Sequence, residues 1–135
     1  MKNEKSCGTI IFNNDCVLVI KQNSGFYGFP KGHVEGNETD TMTAYRETLE
    51  EVGLEVSIDS SKKFSISYLI GDNILKEAIY FIAFVKGNNK IVIQEEELSS
   101  ACFVPIDDVY DMLSFDNLKE LWIDALNYYK EKYNS

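Results

Sequence analysis

Three carboxylates, Glu47, Glu50 and Glu51, stand within five residues of one another in "YRETLEEVGL", residues 45–54. At about 100° per residue they share one arc of a helix, near its C-terminal end. That placement carries a cost. Glu47 and Glu51 are a like-charge i,i+4 pair, worth a few tenths of a kcal/mol against the helix. Glu50 and Glu51 also sit beside the negative end of the helix dipole, at roughly 0.3–1 kcal/mol each. Arg46 is spaced to pair with Glu50, but one arginine does not balance three carboxylates. A solvated acidic face is the ordinary outcome for such a cluster. A hard divalent cation resolves the conflict instead, because magnesium takes oxygen ligands from adjacent turns and keeps several waters.

The elements that position these carboxylates follow from the pattern on either side. Met42, Tyr45, Leu49 and Val52 recur at three and four residues and predict an apolar stripe on a helix from about Thr39 to Val52. Thr39 suits the N-cap, and Gly53 falls where a left-handed C-terminal residue belongs. Upstream, "NSGFYGFPKGHVEGNE" is a Gly-rich loop, long enough to expect function from it. Before that, "GTIIF" and "CVLVIKQ" read as two strands joined by a polar turn. Downstream, "KKFSISYLI", "KEAIYFIAFVKG", "IVIQ" and "ACFVP" read as strands, the second apolar enough to be central. "IDDVYDML" predicts a short helix. Phe115, Leu118, Leu121, Trp122, Ala125, Leu126 and Tyr129 form the stripe of a final amphipathic helix. The irregular alternation predicts an α/β domain, a mixed sheet between helical layers, over residues 1–135. The tail "NYYKEKYNS" either finishes the last helix or makes a dimer contact, and the oligomeric state stays open.

Composition bounds the function. With a net charge of −9, the chain lacks the clustered Lys and Arg of a general nucleic-acid binder, so DNA is not an expected partner. Phosphorylated small molecules remain open to it, since a bound cation inverts the local field. Cys7, Cys16 and Cys102 match no zinc or redox motif, and Cys16 and Cys102, each in an apolar stretch, are expected to be buried. The opening residues lack the apolar run of a signal peptide, and "AIYFIAFV" is too short to span a bilayer. The expected setting is reducing and cytoplasmic, with no membrane role.

The box from residue 32 to 54 resembles the Nudix hydrolase signature G-x5-E-x7-R-E-U-x-E-E-x-G-U, with U a bulky apolar residue. The matching positions are Gly32, Glu38, Arg46, Glu47, Thr48, Glu50, Glu51, Gly53 and Leu54. Thr48 is the one departure, a mild one because its methyl can still pack. The resemblance implies a Nudix-type α/β/α sandwich and an enzyme that hydrolyses a phosphoanhydride with two or three Mg2+ ions, Mn2+ being an alternative. It implies that Glu47, Glu50 and Glu51 hold the metals, joined by the carbonyl of Lys31, and that Glu38 and Arg46 brace the loop–helix junction. Gly32 and Gly53 complete that structural frame. A further metal carboxylate is expected among Glu95, Glu96 and Glu97, with Glu97 preferred for its spacing to Phe103. The general base that activates water is first Glu47 and second Glu51.

Outside the box, "FYGFPKGHVEGNE", "SCGTIIF" and "KEAIYFIAFVKG" resemble the asymmetrically cleaving dinucleoside tetraphosphate hydrolases of that family, with Tyr27 where tryptophan is usual. The substrate so implied is diadenosine tetraphosphate, cleaved to ATP and AMP. It needs cations along its phosphates, for which Lys31, His33 and Lys76 are candidates, and aromatic faces for its bases. Tyr80 shares a strand face with Lys76 and is the candidate for stacking, with Tyr27 lining the same cleft; core packing is the competing role for Tyr80, and for Phe103 the leading one. Lys76 is equally placed to be a solvated strand-end lysine. The alternatives are removal of pyrophosphate from the 5′ end of triphosphorylated RNA, a nucleoside triphosphate pyrophosphatase, and a non-catalytic nucleotide sensor. The last is disfavoured because every glutamate of the box is present.

Overall fold

The computed structural model describes residues 2–133. Eleven elements follow one another: β1 (Lys2–Asn13), β2 (Cys16–Gln22), β3 (Tyr27–Gly28), β4 (Lys31–His33), α1 (Asp40–Val52), β5 (Val56–Ile58), β6 (Phe64–Ile70), β7 (Ile74–Val85), β8 (Leu98–Pro105), α2 (Ile106–Met112) and α3 (Asp116–Tyr133). The strands form one mixed sheet built on β1 and β7, which run parallel from Lys2↔Ile74 to Phe12↔Phe84. Every other pairing is antiparallel: β2 and β4 on β1, β5 and β6 on β7, and β3 and β8 on β2. β7 is central, as its apolar sequence predicts.

Strand alternation splits the core between the two faces of the sheet. Ile10, Phe12, Tyr80 and Ile82 meet Leu118, Leu121, Trp122 and Ala125 of α3 on one face. On the other, Cys7, Ile79 and Phe81 pack against Ala44, and Ile11 and Ala83 against Val52 and Leu54, at α1. The result is the expected α/β/α sandwich. The last helix reaches Tyr133, and the end of the tail considered for a dimer contact, residues 134–135, lies outside the described residues.

Several sequence expectations need correction. Met42, Tyr45 and Leu49 are 56%, 39% and 42% exposed, so of the predicted stripe only Val52 is buried. α1 instead turns Thr43, Ala44, Thr48 and Glu51 inward. Small residues let its backbone lie close to the sheet, where the bulkier stripe would hold it off. Thr48 meets a hydroxyl there: Thr48 Oγ1 donates to Ala44 O at 2.8 Å and accepts from Thr9 Oγ1 at 2.6 Å. The threonine in the box is thus matched by a second threonine on β1. "IVIQ", residues 91–94, is no strand; the amides of Val92 and Gln94 donate to Val52 O and Glu51 O, at the end of α1. The Gly-rich loop holds two short strands, β3 and β4. Cys102, on the edge strand β8, is exposed and Cys16, at the start of β2, is half-buried, whereas Cys7, within β1 between β4 and β7, is the fully buried thiol. Phe115 precedes α3 and is 46% exposed.

Candidate active site

Local rules fix the helix that carries the carboxylates. Thr39 caps its start by accepting the amide of Met42 at 3.2 Å. Gly53 ends it at φ 71°, with its amide on Leu49 O, a conformation open to glycine at little cost. Asp40, in the first turn, takes Lys5 at 2.8 Å and Lys63 at 2.6 Å, tying the helix to β1 and to the approach to β6.

Arg46 organises the junction between loop and helix. Its Nε and Nη2 donate to the two oxygens of Glu38 at 2.7 and 2.9 Å, and Nη2 also reaches His33 O at 3.0 Å. The same guanidinium donates through Nη1 to Glu47 at 3.1 Å and Glu50 at 3.2 Å. Glu38 is held down to about 2 by Arg46 first and by the Glu35 amide next. Gly32 lies under Glu47, and a Cβ there would run into that carboxylate. Any other residue would push that carboxylate aside.

Glu47, Glu50, Glu51 and Glu97 line one cavity of about 530 Å³, together with Lys31 and His33. Glu95 and Glu96 do not line it. The segment docked on the end of α1 accounts for this, since it carries the chain back past the carboxylates before β8 begins. Glu51 is 4% exposed, and its carboxylate accepts a single hydrogen bond, from the Lys31 amide at 3.3 Å. Burial, then the charges of Glu47 and Glu97, push it up to about 8. Glu47 is raised as well, by burial, against the pull of Arg46. Burial lowers Lys31, and the nearby Lys76 lowers it further.

A cradle of hard oxygen donors with a buried, poorly partnered carboxylate fits a divalent cation. Among the described residues no acidic trio is drawn together as a finished cage, because Arg46 holds Glu47 and Glu50. The donor chemistry fits such a cation.

A second cavity, about 490 Å³, opens on the α3 face of the sheet and is lined by Tyr27, Tyr68, Lys76 and Phe115. Lys31 and Phe29 line both cavities. Tyr80 also reaches this cavity, but it is 2% exposed and packed edge-on to Phe29 at 5.9 Å, so its ring offers no open face. Phe103 packs against the opposite face of the sheet, away from Tyr27. His33 has a 61% exposed side chain with Nε2 3.7 Å from Glu4.

Sequence reasoning missed Tyr68, Phe26 and Phe115, which rim the second cavity. Phe26 and Phe115 are exposed and lie 4.8 Å apart between ring centroids. For Tyr68 a signal existed. The turn at Gly71–Asn73 closes a hairpin that sets Tyr68 opposite Lys76, so placing one residue over the cavity places the other. For Phe115 the helical period masked a residue that belongs to the loop before α3.

The chain resembles known proteins across nearly its whole length. It is 28% identical over 130 residues to the bis(5′-nucleosyl)-tetraphosphatase [asymmetrical] of Sus scrofa, covering 85% of this chain and 88% of that protein. The Mus musculus protein of the same name matches with equal identity and coverage. In fold, a C. elegans Ap4A hydrolase binary complex superposes with a TM-score of 0.84 at 18% identity, covering 95% of this chain and 98% of that one. A NUDIX hydrolase from Nitrosomonas europaea superposes with a TM-score of 0.75 at 22% identity, over 99% and 73% of the two chains. The NUDIX domain model matches residues 2–127, and the chain belongs to the Nudix hydrolase family.

Proposed function

We propose that the protein is a magnesium-dependent hydrolase of dinucleoside tetraphosphates, cleaving diadenosine tetraphosphate to ATP and AMP. The observation that carries this reading is the joining of two unlike cavities. One is lined by five carboxylates, Glu35 with Glu47, Glu50, Glu51 and Glu97, and the other largely by aromatic side chains, and Lys31 borders both. A substrate with a polyanionic middle and a flat base at its end needs that combination.

Glu47, Glu50 and Glu51 would hold the cation, with Glu97 and the Lys31 carbonyl as further ligands. A magnesium ion held there would neutralise the phosphate oxygens and lower the pKa of a water for attack on phosphorus. Lys31, Lys76 and His33 orient the phosphates. Glu47 is the first choice to take the water's proton. Burial raises both Glu47 and Glu51, and for Glu47 the guanidinium of Arg46, which donates to it, opposes that rise. Base stacking, expected of Tyr80, passes to Tyr68 and Phe115, which line the open part of the second cavity; Tyr27 lines its wall and Tyr80 its floor.

The test is incubation of the purified protein with diadenosine tetraphosphate and magnesium, followed by chromatography. ATP plus AMP is the expected result. Two ADP would keep the substrate and overturn the asymmetric cleavage. No cleavage would overturn the substrate assignment and direct the search to triphosphorylated RNA 5′ ends.

A further inference from the structure

Ser6 lies in the middle of β1, and its residue is wholly buried. Its hydroxyl is the one buried side-chain polar atom among the described residues with no hydrogen-bond partner. A buried hydroxyl left unpaired is unfavourable, so an orphan of this kind calls for a reason. The neighbours explain why the chain supplies no partner. Across one ladder Ser6 faces Ala78, whose methyl neither donates nor accepts. Across the other it faces His33, whose ring nitrogen is directed to Glu4.

The registers show what surrounds it. Gly8 pairs with Lys31 on β4, Ser6 with His33, and Glu4 with Lys76 on β7. Paired residues share a face of the sheet, and so do residues two apart along a strand. Ser6 therefore stands on the face that carries Lys31, His33 and Lys76, in the floor between three cationic or potentially cationic side chains. It also lines the carboxylate cavity. Lys31 and Lys76 on that face are long and flexible, and an arriving anion would draw their charged ends toward itself.

We propose that Ser6 is a substrate-binding residue: its hydroxyl donates to a phosphoryl oxygen lying between Lys31, His33 and Lys76. This rests on the reading of the protein as a polyphosphate hydrolase. The hydroxyl is left without a protein partner because its partner is the substrate. A donor buried in the floor fixes the height of the phosphate chain over the sheet, which flexible lysines cannot do.

The test measures binding apart from turnover. The parent protein and Ser6→Ala are titrated by calorimetry with a methylene-bridged analogue of diadenosine tetraphosphate, with and without magnesium, and melted in its absence. Ser6→Ala is expected to bind roughly 10-fold more weakly, as for loss of one hydrogen bond to a charged group. Its unliganded melting temperature should be unchanged or higher, since an orphan hydroxyl has been removed. Ser6→Cys, of nearly the same size but a weak donor, should weaken binding likewise and guards against a packing artefact. Equal affinity in parent and both variants would overturn the role of Ser6 and leave the functional reading standing. If the parent itself does not bind the analogue, the functional reading falls and the role of Ser6 with it.

Discussion

Asp59, between β5 and β6, and Glu51, at the end of α1, are both withdrawn from water, with 8% exposure of the side chain in one and 4% of the residue in the other. Asp59 has five donors around its two oxygens: the amide and hydroxyl of Ser61 at 3.0 and 2.5 Å, Tyr128 at 3.2 Å, Lys132 at 3.0 Å and Tyr133 at 2.5 Å. Burial alone would raise this carboxyl, but the hydrogen bonds from Ser61, Tyr133 and Lys132 outweigh it and hold it well below the ordinary value of 3.8. Glu51 has one long hydrogen bond and two carboxylate neighbours, and it is pushed the other way. The same chain can fully satisfy a buried acid when the purpose is to pin α3 to the sheet. Leaving another unsatisfied is what the proposed cation site at Glu51 would require.

If that contrast is right, replacing the two acids should have opposite consequences. The largest expected effect is on turnover: Glu51→Gln should lower magnesium-dependent hydrolysis by at least roughly 100-fold. The same variant should melt no lower than the parent when magnesium is absent, and unlike the parent it should gain little when the cation is added. A metal-free melt well below the parent's would mean that Glu51 stabilises the fold, and the comparison would collapse.

Asp59→Ala should leave kcat near its parent value and lower the melting temperature by roughly 5–10 °C, as several hydrogen bonds to a charged group are lost. Asp59 also gives the pH dependence its sign. A carboxyl with a depressed folded pKa adds stability above its unfolded value and loses it as the pH falls below. The parent should therefore lose this contribution on acidification from about the ordinary 3.8 downward, and Asp59→Asn should show a flatter acid limb in thermal melts.

The smallest effect is expected at the rim of the second cavity. Tyr68→Ala should raise KM roughly 10-fold with kcat little changed, the size of one lost base stack. A similar change in both constants would move Tyr68 from substrate binding to positioning of the reacting groups.

How much of this was legible in the sequence depends on the range of the interactions. The caps of α1 are local chemistry, so Thr39 and Gly53 could be placed from the residues alone. The brace between Glu38 and Arg46 came with the box, where fixed spacing stands in for three-dimensional contact. Which side of α1 faces the sheet was not legible. The apolar period at Met42, Tyr45 and Leu49 is real, but Ala44 and Thr48 permit a closer approach, and Thr48 has a waiting partner on β1. "IVIQ" has the alternation of a strand because it buries alternate residues against a helix end. The aromatic rim depends on pairings between β6, β7 and the loop before α3, and no single stretch of residues contains it.

The docking of residues 91–94 on the end of α1 constrains where this chain can lengthen or shorten. Gly53 leaves no spare room there, since a Cβ on it would stand 3.1 Å from the Cβ of Val92. The amides of Val92 and Gln94 fasten the segment to Val52 and Glu51, and the Glu97 amide turns back onto Gln94 O. From Val92 to Glu97 the chain works as a ruler laid from the helix: adding or deleting one residue should move the Glu97 carboxylate off the cavity. Before Lys90, at the exposed turn around Gly87, no such gauge operates, and insertions there should be absorbed without loss of activity.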